Sequence, residues 1–158
     1  DGTVYTSSQF IISDKKIELY YGAMNRTHGG SSATQRQTAH IAKASWRTDG
    51  FVSLSNGGND TGVIVTRPFV FSGDQMFVNA NCTGGSLQVE LLDANDSIVP
   101  GYSKGEAVTV TGDHLTQLIR WKNRSDLKAL SGKMVRIKFY IKKTELYSYW
   151  FNHSLTIK

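Results

Sequence analysis

Apolar and polar residues alternate along most of this chain with a period of two, the spacing of a strand with one covered face. Lys16-Ile17-Glu18-Leu19-Tyr20-Tyr21 alternates and stops at Gly22, and the run from Val135 to Ile141 alternates throughout. Neither suits an amphipathic helix. The same pattern predicts strands over 9–13, 16–21, 38–46, 49–54, 63–71, 75–81, 86–92, 115–121, 135–142 and 146–157, parted by Gly, Asn and Asp turns. Helix signal is confined to one turn over 125–130. The first three strands make a meander the size of one propeller blade, and the character of the chain shifts near residue 50. The predicted fold is therefore all-β: a propeller-blade-like β-meander over 1–48, then an antiparallel, jelly-roll-like β-sandwich over 49–158.

Composition agrees with this reading. Fifteen Gly stand against two Pro, and 39% hydrophobic with 20% charged residues excludes a disordered chain. No apolar run approaches the ~18 residues of a membrane helix, so no membrane partner is expected. A chain that opens on Asp1-Gly2 is expected to be a processed or trimmed product. Net charge is +5, with Lys133, Arg136, Lys138, Lys142 and Lys143 crowded near the C-terminus. These alternate with Val135, Ile137, Phe139 and Ile141, which places them on the outer face of a strand and not in a nucleic-acid groove. Such a face is a solvated guard against aggregation, or a surface for sulfated or acidic glycans.

Six Asn-X-Ser/Thr tripeptides, at Asn25, Asn59, Asn81, Asn95, Asn123 and Asn152, point to a secreted, extracellular glycoprotein. Loop positions at Asn25, Asn59, Asn95 and Asn123 are the better acceptors, because strand-like residues surround Asn81 and Asn152. Cys82 is the single cysteine, which leaves two readings: a buried thiol or an interchain disulfide. No nucleophile elbow, phosphate loop or Cys/His metal cluster occurs, so neither cofactor nor metal is expected. The acidic residues lie mostly in turns, and no pair is marked by spacing as a catalytic dyad.

Tyr20-Tyr21-Gly22, His28 in a polar loop, His40-Ile41-Ala42-Lys43-Ala44 and Arg47-Thr48-Asp49-Gly50-Phe51-Val52-Ser53-Leu54 follow one another in order. This succession resembles the last blade of five-bladed propeller glycoside hydrolases of the invertase-like and arabinanase-like families. Thr66-Arg67-Pro68, Val89-Glu90-Leu91-Leu92-Asp93, Pro100-Gly101-Tyr102-Ser103, Arg120-Trp121 and Leu130-Ser131-Gly132-Lys133 resemble the β-sandwich that follows those propellers. The resemblance covers roughly residues 16–151. It implies that the catalytic carboxylates belong to earlier blades, that this chain alone hydrolyses nothing, and that its partner is an upstream propeller or a second chain. It also places His28 where a loop histidine can face a central cavity and touch a sugar, the alternative being an exposed loop residue. Arg47 and Asp49 are expected as a buried structural pair tying blade to sandwich, with Gly50 allowing a tight turn.

Aromatic rings that stack on pyranose faces are the remaining candidates: Trp46, Tyr102, Trp121, Tyr147 and Trp150, though such rings in a sandwich more often pack in the core or between sheets. The expected function is a non-catalytic module that supports a propeller and binds carbohydrate. One chain of a processed hydrolase with its carboxylates elsewhere is an alternative, and a structural or adhesive extracellular glycoprotein is another.

Overall fold

Two alternating runs laid antiparallel satisfy each other's backbone groups and gather their apolar side chains on one face, and this chain uses that device throughout. The computed structural model describes residues 2–29, 36–122 and 124–152; expectations for Asn123 and for a strand beyond 152 lie outside them. The protein is all-β, with antiparallel pairings only among the described residues. It divides into two compact units, Asp1–Phe51 and Val52–Lys158.

The first unit contains β1 (Thr3–Thr6), β2 (Ile11–Ile12), β3 (Lys16–Met24) and β4 (Ala39–Arg47). β1 and β2 both pair with one edge of β3, and β4 with the other. The meander is thus three strands wide, with its first strand broken where Ser7 Oγ donates to the Gln9 carbonyl at 3.0 Å. Register places Val4, Ile12, Ile17, Leu19, Tyr21, Ala23 and Trp46 on one face. Among the described residues of this unit only Ile17 and Ala23 are buried, while Ile12 is 69% exposed. A strand over 49–54 does not form there. Asp49 instead takes φ 54 in a turn, and Gly50 N–H donates to the Arg47 carbonyl at 3.0 Å. A Cβ on Gly50 would strike Arg47 Cγ. The turn returns the Phe51 ring onto Trp46 and Phe10, with centroids 5.3 and 5.7 Å away.

The second unit is one folded sheet of β5 (Leu54–Asn56), β6 (Gly62–Val65), β7 (Phe69–Val70), β8 (Gln75–Asp93), β9 (Val110–Leu118), β10 (Met134–Lys142) and β11 (Thr144–Asn152). The run expected as one strand over 63–71 splits at Thr66-Arg67-Pro68, because Pro68 lacks the N–H a ladder needs. Conversely, the strands expected over 75–81 and 86–92 join into the single 19-residue β8. Its first half pairs with β11 (Gln75↔Asn152 to Asn81↔Glu145), and its second half with β10 (Ser86↔Lys142 to Asp93↔Val135). Both partners bend where β8 does. Gly84 (φ 71) and Gly85 lie opposite Lys143 (φ 44), and a Cβ on Gly85 would meet the Lys142 and Lys143 carbonyl oxygens.

That corner folds one ladder over the other. Met76, Val78, Ala80, Cys82, Leu87, Val89 and Leu91 of β8 then face Val135, Ile137, Phe139 and Ile141 of β10 in a common core. Fully burying each larger side chain contributes roughly 1.5–3 kcal/mol. A single 3-10 turn at Lys128–Leu130 seals one end with Leu127 and Leu130 buried. No helix among the described residues is long and apolar enough to cross a membrane.

Candidate functional site

The folded sheet stops short of closing. Among the described residues β5 pairs with β11 alone and β6 with β10 alone, so a seam stays open between β5 and β6. A cavity of about 500 Å³ occupies it, lined by Leu54, Ile64, Thr66, Phe139, Leu146 and the consecutive residues Tyr147, Ser148 and Tyr149, with Val52 and Ser53 at its edge. Its size suits a small-molecule ligand.

A β-bulge shapes this wall. Leu146 pairs with Ala80 but Ser148 pairs with Asn79, so Tyr147 is an extra residue that re-aims the chain. Its hydroxyl donates to Glu145 Oε2 at 2.8 Å. Tyr149 is 37% exposed and packs on Phe139, with centroids 5.3 Å apart. Ser148 Oγ is buried and has no hydrogen-bond partner among the described residues. Thr66 Oγ1 already accepts from Ile137 N–H at 2.9 Å, and its proton remains for a ligand. The lining carries hydroxyls and rings but no charged side chain. Such a cavity can hold a neutral, partly apolar ligand by stacking and hydroxyl exchange, and it contains no carboxyl pair for glycoside hydrolysis.

Of the residues singled out in the sequence, this site gathers Tyr147; sequence reasoning misses Ser148 and Tyr149, which only the bulge reveals. Trp121 and Tyr102 lie elsewhere, 1% and 5% exposed. Trp121 Nε1 donates to the Val89 carbonyl at 2.8 Å and Tyr102 hydroxyl to the Asp126 carbonyl at 2.9 Å. Rings covered in this way offer no face to a sugar, so both belong to the core. Trp150 is half-buried on the outer face of β8 and β11, stacked on Phe77 at 5.7 Å with 15° between planes. His28 is exposed in the first unit, edge-on to Tyr5 at 6.4 Å, beside a shallow cleft shared with Arg26, Met24 and Gln37. Asp49 is exposed and Arg47 half-buried, which corrects the expectation of a buried pair.

Cys82 is fully buried in the core. An interchain disulfide would need its sulfur at the surface, and that expectation falls. Asn59 and Asn95 are exposed in loops. Asn25 is also exposed, but its amide is committed twice, donating to the Arg36 carbonyl at 3.0 Å and accepting from Thr38 N–H at 3.1 Å. Asn81 is partly buried within β8 and accepts from Thr83 N–H at 3.1 Å. Asn152 is exposed at the end of β11.

A second cluster lies on the outer face of β8 and β10, where Glu90 is 5% exposed. Glu90 accepts from Tyr140 hydroxyl (2.8 Å) and from Lys104 N–H (2.9 Å), with Lys138 Nζ 3.8 Å away. The Tyr140 hydroxyl above all, with Glu90 behind it, holds the Lys138 ammonium above its ordinary value. In the loop beyond, the Ser103 hydroxyl and then its N–H hold Glu106 below the usual carboxylate range.

Compared with protein-family models, with curated proteins and with solved structures, the chain matches none. Among the described residues no group of three or more His, Cys, Asp and Glu could hold a metal ion.

Proposed function

We propose that this chain is a non-catalytic module of a secreted glycoprotein, the C-terminal part of a propeller glycoside hydrolase-like protein, whose β-sandwich binds a neutral sugar in the open seam. The observation that carries the reading is the charge-free cavity between β5 and β6, walled by Tyr147, Ser148 and Tyr149. Aromatic rings take the apolar C–H face of a pyranose, and the Thr66 proton takes one of its hydroxyls. The first unit supports the propeller half of the reading. A β-meander with so few buried side chains and an apolar face over Ile12, Leu19, Tyr21 and Trp46 is a blade short of a neighbour.

Calorimetric titration of the chain with neutral oligosaccharides tests it, beside a medium-chain alkyl detergent as the purely apolar competitor. Binding of at least one sugar is expected, weakened roughly tenfold by Tyr149→Ala, the effect of losing about one ring stack. Sugar binding untouched by Tyr149→Ala, or a cavity filled by the alkyl chain alone, overturns the assignment. No turnover of an aryl glycoside is expected.

A further inference from the structure

Lys104 is held unusually well for a lysine without a carboxylate of its own. Its N–H donates to Glu90 Oε2 at 2.9 Å, and its carbonyl accepts from Gln88 Nε2 at 3.3 Å. Neighbouring Ser103 is fixed through its N–H and hydroxyl to Glu106 Oε2, at 3.3 and 2.9 Å. The result poises Lys104 Nζ 4.3 Å from the centre of the Tyr140 ring, while Lys138 Nζ stands 5.2 Å from the same ring. Tyr140 is itself tied to Glu90 Oε1 at 2.8 Å. One buried carboxylate therefore organises the ring and one ammonium's backbone, and stands nearest the other ammonium, at 3.8 Å. Among the described residues Lys104 forms no ion pair. The nearby Arg136 is matched by Asp96 at 2.6 Å, so it adds no net charge. Two ammoniums against one carboxylate leave a net positive charge beside the Tyr140 ring.

We propose that Lys104 and Lys138, both set against the Tyr140 ring, form an oxyanion site on the outer face of β8 and β10, which receives a sulfate ester or uronate carboxylate carried on an acidic glycan. The ring is already faced by ammonium groups, so it does not serve as a platform for a nucleobase, and two lysines suit one tetrahedral or planar oxyanion better than a run of phosphates. The site is independent of the seam cavity, whose lining shares none of these residues.

The full chain is titrated with a sulfated glycosaminoglycan tetrasaccharide, its desulfated and N-acetylated counterpart, inorganic sulfate and a short single-stranded DNA. The sulfated sugar is expected to bind, and Lys104→Gln and Lys138→Gln to weaken it by about tenfold each, the scale of one charge-assisted hydrogen bond. Lys133→Gln with Lys143→Gln removes two charges from the segment that carries Lys138 and is expected to change affinity less than about twofold. As a readout that needs no substitution, the tetrasaccharide should shield Lys104 and Lys138, but not Lys143, from acetylation by acetic anhydride. Equal losses in the control pair, equal binding of the desulfated sugar, inorganic sulfate as strong as the tetrasaccharide, or DNA binding through the same lysines would each overturn the proposal.

Discussion

Tyr102 and Trp121 meet edge to face inside the sandwich, with ring centroids 5.2 Å apart and planes at 79°. Each also spends its polar atom on a carbonyl, Trp121 on Val89 and Tyr102 on Asp126. Trp121→Phe should therefore destabilise the protein by about 1–3 kcal/mol through the orphaned Val89 carbonyl and lost volume, and Trp121→Ala by about 3–5 kcal/mol. Urea unfolding of the chain measures both. Sugar binding by the folded Phe variant should remain intact.

The corner of β8 makes a sharper contrast between neighbours. Gly84 has φ 71 and open space around it, so Gly84→Ala should cost only about 1–2 kcal/mol of left-handed backbone strain. Gly85→Ala must push a methyl against two backbone carbonyls that cannot swing aside. It should cost more than its neighbour, about 3 kcal/mol, and lower the thermal midpoint accordingly. Equal effects would mean that the corner bends without the close approach.

The sequons divide by surroundings. Expressed through a eukaryotic secretory route, the chain should carry glycans at Asn59 and Asn95, which are exposed in loops. Asn81 should stay bare, since it is partly buried in a strand paired on both edges. Peptide mapping after deglycosylation in heavy-oxygen water reads each site separately. A glycan on Asn81 would contradict the strand as described.

Much of this is legible in the residues, and the failures have physical causes. β3, β4 and β10 follow from alternation because each covers one face only. β1 (Thr3–Thr6) escapes the pattern because its residues are nearly all exposed. Alternation starts β9 too late, at residue 115, since Val110-Thr-Gly-Asp-His looks like a turn and Gly112, at φ 82, sits at a bulge within the strand. A glycine pair usually ends a strand; in β8 the pair bends one instead, because the partner strand bends with it. The seam site is half legible. Tyr147 stands out as an aromatic, but which neighbours share its wall depends on a bulge, and a bulge is a property of pairing that no single strand displays.

In the first unit, Glu18 accepts from Lys16 Nζ at 2.9 Å and Lys43 Nζ at 2.6 Å, and the two ammoniums hold its carboxyl below its ordinary value of 4.5. A lowered folded-state value means that the charged form favours folding. This contribution is complete above pH 4.5 and disappears as pH falls through the folded-state value. The difference in melting temperature between the protein and Glu18→Gln should thus be constant near neutrality and shrink below that point. A difference that grows on acidification would reverse the sign.

The strand shared by both ladders also governs how the protein can be made. β8 leaves the ribosome well before β10 and β11, the strands that cover one whole edge of it. Asn56 must wait for a chain segment 85 residues later before its side chain finds the Ile141 carbonyl. Contacts of such separation close slowly, and until they do an unpaired edge carrying Met76, Val78, Leu87, Val89 and Leu91 is open to other chains. A chain truncated before Thr144 keeps the β8–β10 ladder but loses the β11 ladder along the first half of β8, and should accumulate as aggregate.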